Sequence, residues 1–128
     1  MSPIARIFKN KAFSRFAKKA EIKDCELCKA VANAENGLID ANLGGGIIKQ
    51  RIARDGEGKS GGFRTLILLK IGNRAFFVYG FAKNEKDNIE ADDLIALKKL
   101  AAIILNYTDD QLKDSLNKNI LIEVQCHE

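Results

Sequence analysis

The clearest chemical signal in the chain is cationic: Lys49, Arg51, Arg54, Lys59, Arg64, Arg74 and Lys83 fall in one stretch rich in apolar residues and glycine. Lys49 and Arg51 are two apart, so on an extended strand both side chains leave the same face, about 6.6 Å from each other. That spacing suits neighbouring phosphates of a single nucleic-acid strand. Arg64 stands inside a hydrophobic run, and a guanidinium is not placed there without a partner or a site to serve. Basic residues on strands are commonly just a solvated face. These two details favour a surface that grips a polyanion through forked, charge-assisted hydrogen bonds.

Other chemistries are poorly supplied. The one histidine, His127, is next to last, where positioned chemistry is hard to sustain, so a general acid or base must be a Lys, Tyr, Cys or carboxylate. Cys25 and Cys28 lie three apart in a stretch of helical composition and share a face with Ile22 and Val31, which reads as small buried hydrophobes. The cysteines number three, and free thiols are expected rather than a disulfide framework. A zinc site would have to recruit Cys126 and His127 from the chain end, so no metal and no cofactor is expected. Residues 53–60 have the outline of a loosened phosphate loop. Such a loop must deliver its amides into a helix start, whereas Gly61, Gly62 and a β-rich run follow here, so a glycine-rich strand connection is expected. Gly44, Gly45 and Gly46 read as a turn.

The charge is uneven. Residues 1–83 hold 16 Lys and Arg against 7 Asp and Glu, net +9, and residues 84–128 hold 5 against 10, net −5. The basic part suits nucleic acid. At 128 residues the chain is the size of one domain and can bury a core without disulfides or metal. A single domain over 1–128 is expected, with 107–128 as an extension. No apolar run approaches the 18 or so residues of a membrane span, and the first residues lack a hydrophobic signal segment. A cytoplasmic protein that does not engage a membrane is expected.

Elements follow from periodicity. A short strand at 4–8 precedes a helix at 11–20, where Phe13, Phe16, Ala17 and Ala20 recur at helical spacing. A second helix is expected from Asp24, read as its N-cap, to residue 34 or 35. Strands at 38–43, 47–54, 63–71 and 75–81 are separated by glycine-bearing turns, short enough for an antiparallel meander. Residues 63–69 and 75–79 are apolar on both faces, as central strands are, with the two helices covering one side. In 47–54, Ile48 and Ile52 face one way and Lys49 and Arg51 the other, giving a wet, cationic face. Asn88 reads as the N-cap of a helix with the stripe Leu94, Leu97, Ala101, Ile104 and Leu105. Thr108 to Gln111 has the pattern of a capping box for a short last helix, and 120–124 of an edge strand or tail.

Three motifs, LIDANLGGGIIKQR at 38–51, GKSGGFR at 58–64 and RAFFVYGFAKNEK at 74–86, together resemble the RelE/ParE superfamily of bacterial type II toxins, in its HigB-like, RelE-like branch. The resemblance covers most of the chain. It implies an α+β fold, two N-terminal helices packed on a twisted antiparallel β-sheet, with C-terminal helices. It implies a toxin that cleaves mRNA in the ribosomal A site and is silenced by a cognate antitoxin. Arg64 inherits the place of a phosphate-contacting arginine, and Lys49 and Arg51 those of a general base or transition-state cation. Lys83 matches a basic stretch after the last strand, where Asn84 replaces an arginine. No position matches the Tyr or His that many relatives carry near the C-terminus.

Cleavage of this kind uses the substrate's own 2′-hydroxyl as nucleophile and obliges no metal. Lys49, crowded by other cations, would take the proton. Arg51 and Arg64 would hold the developing charge, and Arg54, Lys59, Arg74 and Lys83 would bind the RNA backbone. The same fold also admits a ParE-like gyrase-inhibiting toxin, or a non-catalytic nucleic-acid-binding regulatory module that grips phosphates without scission.

Overall fold

The computed structural model describes residues 5–54, 58–82 and 90–126, with side chains described at all of these but 53, 54 and 58–61. The chain enters through strand β1 (Arg6–Asn10) and turns directly into helix α1 (Lys11–Ala20). Asn10 makes that turn possible: its side chain accepts from the Phe13 N–H at 2.8 Å, satisfying a donor that a helix start leaves bare. α1 buries Phe13 and Ala17, and the Phe13 ring meets Phe77 at 5.0 Å between centroids. Helix α2 (Asp24–Glu35) buries Leu27, Ala30, Val31 and Ala34. Its N-cap is Lys23, and Asp24 sits in the first turn instead. The Asp24 carboxylate is taken up by Lys9 Nζ at 3.3 Å and by the Gln125 N–H at 3.5 Å.

Strands β2 (Ala41–Gly44), β3 (Ile47–Arg54), β4 (Gly58–Lys70) and β5 (Arg74–Ala82) form the antiparallel meander. The six-stranded sheet has the order β2-β3-β4-β5-β1-β6, with β6 (Leu121–Glu123) antiparallel to β1 at the edge. The expected antiparallel sheet has one exception, for β1 lies parallel to β5, with Ile7 opposite Ala75 and Phe8 opposite Phe76. A parallel neighbour requires a long crossover, and α1, α2 and the first three meander strands supply it. β4 starts at Gly58, earlier than its apolar run, so the 53–60 segment that resembles a phosphate loop ends within a strand and not at a helix start. Residues 55–57 lie outside the described residues. Gly44, Gly45 and Gly46 have φ of +86°, +64° and +85°, the turn conformations that favour glycine. A Cβ on Gly46 would also collide with Leu105.

The sheet is covered on both sides, which explains strands that are apolar on both faces. α1 and α2 pack over Ile7, Ile48, Ile52, Ile67 and Phe77. Helices α3 (Ala91–Ile104) and α4 (Asp109–Asn117) contribute Ala101, Ile104 and Leu112 over Phe8, Ile47, Leu66, Leu68, Phe76 and Val78 on the other face. Full burial of each large apolar side chain contributes about 1.5–3 kcal/mol. The cap of α3 is Glu90, and Asn88, expected in that role, lies outside the described residues. The expected capping box of α4 is present: the Gln111 N–H donates to Thr108 Oγ1 at 3.1 Å and the Thr108 N–H to Gln111 Oε1 at 2.9 Å.

The cysteines depart from expectation. Cys28 on α2 is bonded to Cys126, just beyond β6, with Cα atoms 5.9 Å apart, and Cys25 is free and exposed. The β1–β6 ladder carries the end of the chain to α2, a proximity that composition cannot reveal. The same ladder sets Glu123 against Arg6 with two contacts of 2.9 Å, and this hydrogen bonding raises Arg6 above its ordinary value. His127 lies outside the described residues. Among the described residues, no helix is long and apolar enough to cross a membrane.

Candidate functional site

Strand pairing decides which cations meet. Arg51 on β3 lies opposite Arg64 on β4, and Arg64 lies opposite Phe81 on β5. One step along, Lys49 opposes Leu66 and Leu66 opposes Tyr79. Opposed residues share a sheet face, and Leu66 belongs to the core beneath α3 and α4. Lys49, Arg51 and Arg64 therefore lie together on that face, at its polar margin. Lys49 is half-buried, the Arg51 side chain is 36% exposed and the Arg64 side chain only 11%.

Two guanidiniums directly across a strand pair repel each other. Asp40, in the segment before β2, stands between them, Oδ1 at 3.9 Å from Arg51 Nη2 and Oδ2 at 3.5 Å from Arg64 Nε. These are ion-pair distances, too long for strong hydrogen bonds. Among the described residues, Arg64 Nη1 is buried without a hydrogen-bond partner. Leaving a buried donor unsatisfied costs about 1–3 kcal/mol, and more on a charged group. Among the described residues, three cations against one loosely held carboxylate favour an incoming oxygen-rich anion.

The inner face of β3 holds Asp40 in place. Gln50 is 4% exposed between Ile48 and Ile52. Its amide donates to the carbonyls of Ala30 at 2.9 Å and Leu38 at 3.0 Å, and its oxygen accepts from the Asp40 N–H at 2.9 Å. One buried side chain thus ties α2, the 38–40 segment and β3 together, with its polar atoms satisfied. One depression reaches Arg51 and a second reaches Tyr79. A groove of about 600 Å³ runs between α2 and β3 and is lined by Asn33, Leu38, Asp40 and Arg51 among others. A cavity of about 390 Å³ lies between β5 and α3, lined by Val78, Tyr79, Asp93, Ala96 and Leu97. Tyr79 is 38% exposed, its ring 5.8 Å from Phe81.

The family model described as "RelE toxin of RelE / RelB toxin-antitoxin system" matches residues 5–124. The chain belongs to the RelE toxin family. No curated protein matches it at a significant level. The matched span contains every strand and helix described above, and membership makes the chain a toxin whose partner is an antitoxin.

In this RelE-family toxin the other expected RNA contacts are distributed differently. Arg54 and Lys59 stand at the β3–β4 turn, where Arg54 pairs with Gly58, and their side chains lie outside the described residues, as does Lys83. Arg74 is not brought to the cluster. It opens β5, seven positions before Phe81, about 23 Å along the strand. It is buried and donates to the Tyr107 carbonyl and to Asp109, both at 2.6 Å, fastening the α3–α4 connection to the sheet. We expect Arg74→Ala to lower the unfolding free energy by about 1–3 kcal/mol, mainly by orphaning that carbonyl. Urea unfolding measures the loss, and RNA binding per folded molecule should be unchanged.

Asp40 and Tyr79 at the toxin's cationic face were not foreseen from sequence. A register shift between the pairs at Leu66 and Ile67 sets Tyr79 beside the core row, and simple alternation does not predict it. Asp40 looks like any loop carboxylate until the pairing of β3 with β4 places both arginines beside it.

Proposed function

We propose that this RelE-family toxin is a ribosome-dependent mRNA endonuclease, an mRNA interferase, with Lys49, Arg51 and Arg64 as its catalytic residues. The main support is the buried Nη1 donor of Arg64, without a partner among the described residues, on the same face as Lys49 and Arg51. Within the family we assign the chain to the HigB-like branch on its motifs at 38–51, 58–64 and 74–86. The partners are the cognate antitoxin, mRNA and the ribosome, and the site of action is the cytoplasm.

The chemistry needs only these groups and the substrate. The 2′-oxygen attacks the adjacent phosphorus, the P–O2′ bond forms and the P–O5′ bond breaks. Lys49 carries the 2′-hydroxyl proton across to the leaving 5′-oxygen. Arg51 and Arg64 donate forked hydrogen bonds to the phosphorane oxygens, where negative charge accumulates. Products are a 2′,3′-cyclic phosphate and a 5′-hydroxyl. The exposed Tyr79 offers a ring on which a base can stack, and Arg54, Lys59 and Lys83 bind the backbone electrostatically.

Asp40 is the carboxylate that an incoming phosphate displaces. Asp40→Asn should therefore bind single-stranded RNA more tightly, with a salt dependence steeper by about 0.7 per additional phosphate contact. Fluorescence titration across a salt series measures this, and weaker binding would show that Asp40 belongs to the RNA site. The proposed activity is tested by expressing the chain without antitoxin and mapping transcript ends with and without active translation. New ends that require translation support it. Growth arrest with intact transcripts and inhibited gyrase overturns it.

A further inference from the structure

The three cysteines meet at the N-terminal end of α2. Cys28 is bonded to Cys126, and Cys25, free and exposed, lies one turn earlier on the same helix. Helix geometry sets Cα atoms three residues apart at about 5 Å, inside the 4.4–6.8 Å that a disulfide spans. The i,i+3 relation puts both side chains on one helix face. Cβ atoms at that spacing lie about 5–6 Å apart, against the roughly 3.5–4.5 Å of a disulfide. Cys28 thus has its bonded partner on the C-terminal segment and a second on its own helix that the first turn of α2 must tighten to reach.

That segment is also held without the bond. The Val124 N–H donates to the Ile7 carbonyl at 2.8 Å, Glu123 engages Arg6 twice and the Gln125 N–H reaches Asp24 at 3.5 Å. Cys126 therefore stays beside α2 when its bond to Cys28 is open.

We infer that Cys25, Cys28 and Cys126 form a thiol–disulfide exchange site, with Cys25 as the attacking thiol and Cys28 as the shared sulfur. The Cys25 thiolate attacks Cys28 Sγ, the Cys25–Cys28 bond forms and the Cys28–Cys126 bond breaks. Cys126 leaves as a thiolate and takes up a proton equivalent to the one Cys25 released, so no net oxidation occurs and no co-reactant is needed. The exchange tethers the C-terminal segment covalently to α2 in one state and leaves it held by its hydrogen bonds and the Arg6–Glu123 pair alone in the other. The site takes low-molecular-weight thiols and disulfides, which meet the exposed Cys25 first. It uses none of the cationic residues assigned to RNA.

The test is disulfide mapping of the purified full chain equilibrated with oxidised glutathione, acid-quenched, alkylated and digested without reductant. The wild type should yield two internal pairings, Cys28–Cys126 and Cys25–Cys28. Cys126→Ser should close Cys25–Cys28, and Cys25→Ser should lose that pairing completely while keeping Cys28–Cys126. Circular dichroism confirms the fold of each variant. The inference is overturned if the wild type shows Cys28–Cys126 alone at every glutathione ratio. It is equally overturned if folded Cys126→Ser carries glutathione on Cys25 and Cys28 separately.

Discussion

Replacing Arg64 with alanine should leave the chain folded and slow mRNA cleavage by about 10²–10³-fold, the typical cost of removing one preorganised donor from a developing negative charge. The fold should survive because, among the described residues, Arg64 is held by one weak contact, Nε to Asp40 at 3.5 Å, and its Nη1 has no hydrogen-bond partner. Deleting the side chain also removes the repulsion with Arg51 across the strand pair. Arg64→Lys should recover little, since an ammonium restores charge without the planar fork that engages two phosphate oxygens. Circular dichroism and transcript-end mapping on the same preparations separate folding from activity. Cleavage at the wild-type rate by folded Arg64→Ala would remove this residue from the mechanism.

The second large effect belongs to Lys49. If it carries the proton from the 2′-hydroxyl, Lys49→Ala should lower the cleavage rate by about 10²–10⁴-fold, in kcat with little change in KM. Lys49→Arg discriminates between the two roles a cation can play here. Arginine keeps the charge and the reach to phosphate but does not give up its proton under working conditions, so the variant should bind RNA and remain slow. Near-complete rescue by arginine would make Lys49 an electrostatic contact, leaving the proton to another group.

Local features of this chain were legible because short-range physics decides them. Phe13 and Ala17 face inward on α1 as their spacing requires, Thr108 and Gln111 form their box, and Ile48 and Ile52 turn away from Lys49 and Arg51. The grouping of Arg64 with Lys49 and Arg51 needed one inference more, an antiparallel hairpin in the right register. Features that depend on pairing between distant segments were hidden. Arg74 lies in the same basic stretch as the cluster, yet the length of β5 carries it to the opposite end of the sheet and into an ion pair with Asp109. The parallel placement of β1, the position of Asp40 and the Cys28–Cys126 bond all follow from crossovers and edge pairing that no local spacing encodes.

The central claim is that cations from β3 and β4 make a ribonucleotide's own 2′-oxygen break its backbone. The chemistry of the new RNA ends tests it most directly, by enzymatic end-typing of fragments from ribosomes treated with wild-type toxin, Lys49→Ala or Arg64→Ala. The expected result is a 2′,3′-cyclic phosphate upstream and a 5′-hydroxyl downstream, both strongly reduced in the two variants. A 3′-hydroxyl with a 5′-phosphate, or cyclic phosphate formed equally by wild type and both folded variants, would contradict it.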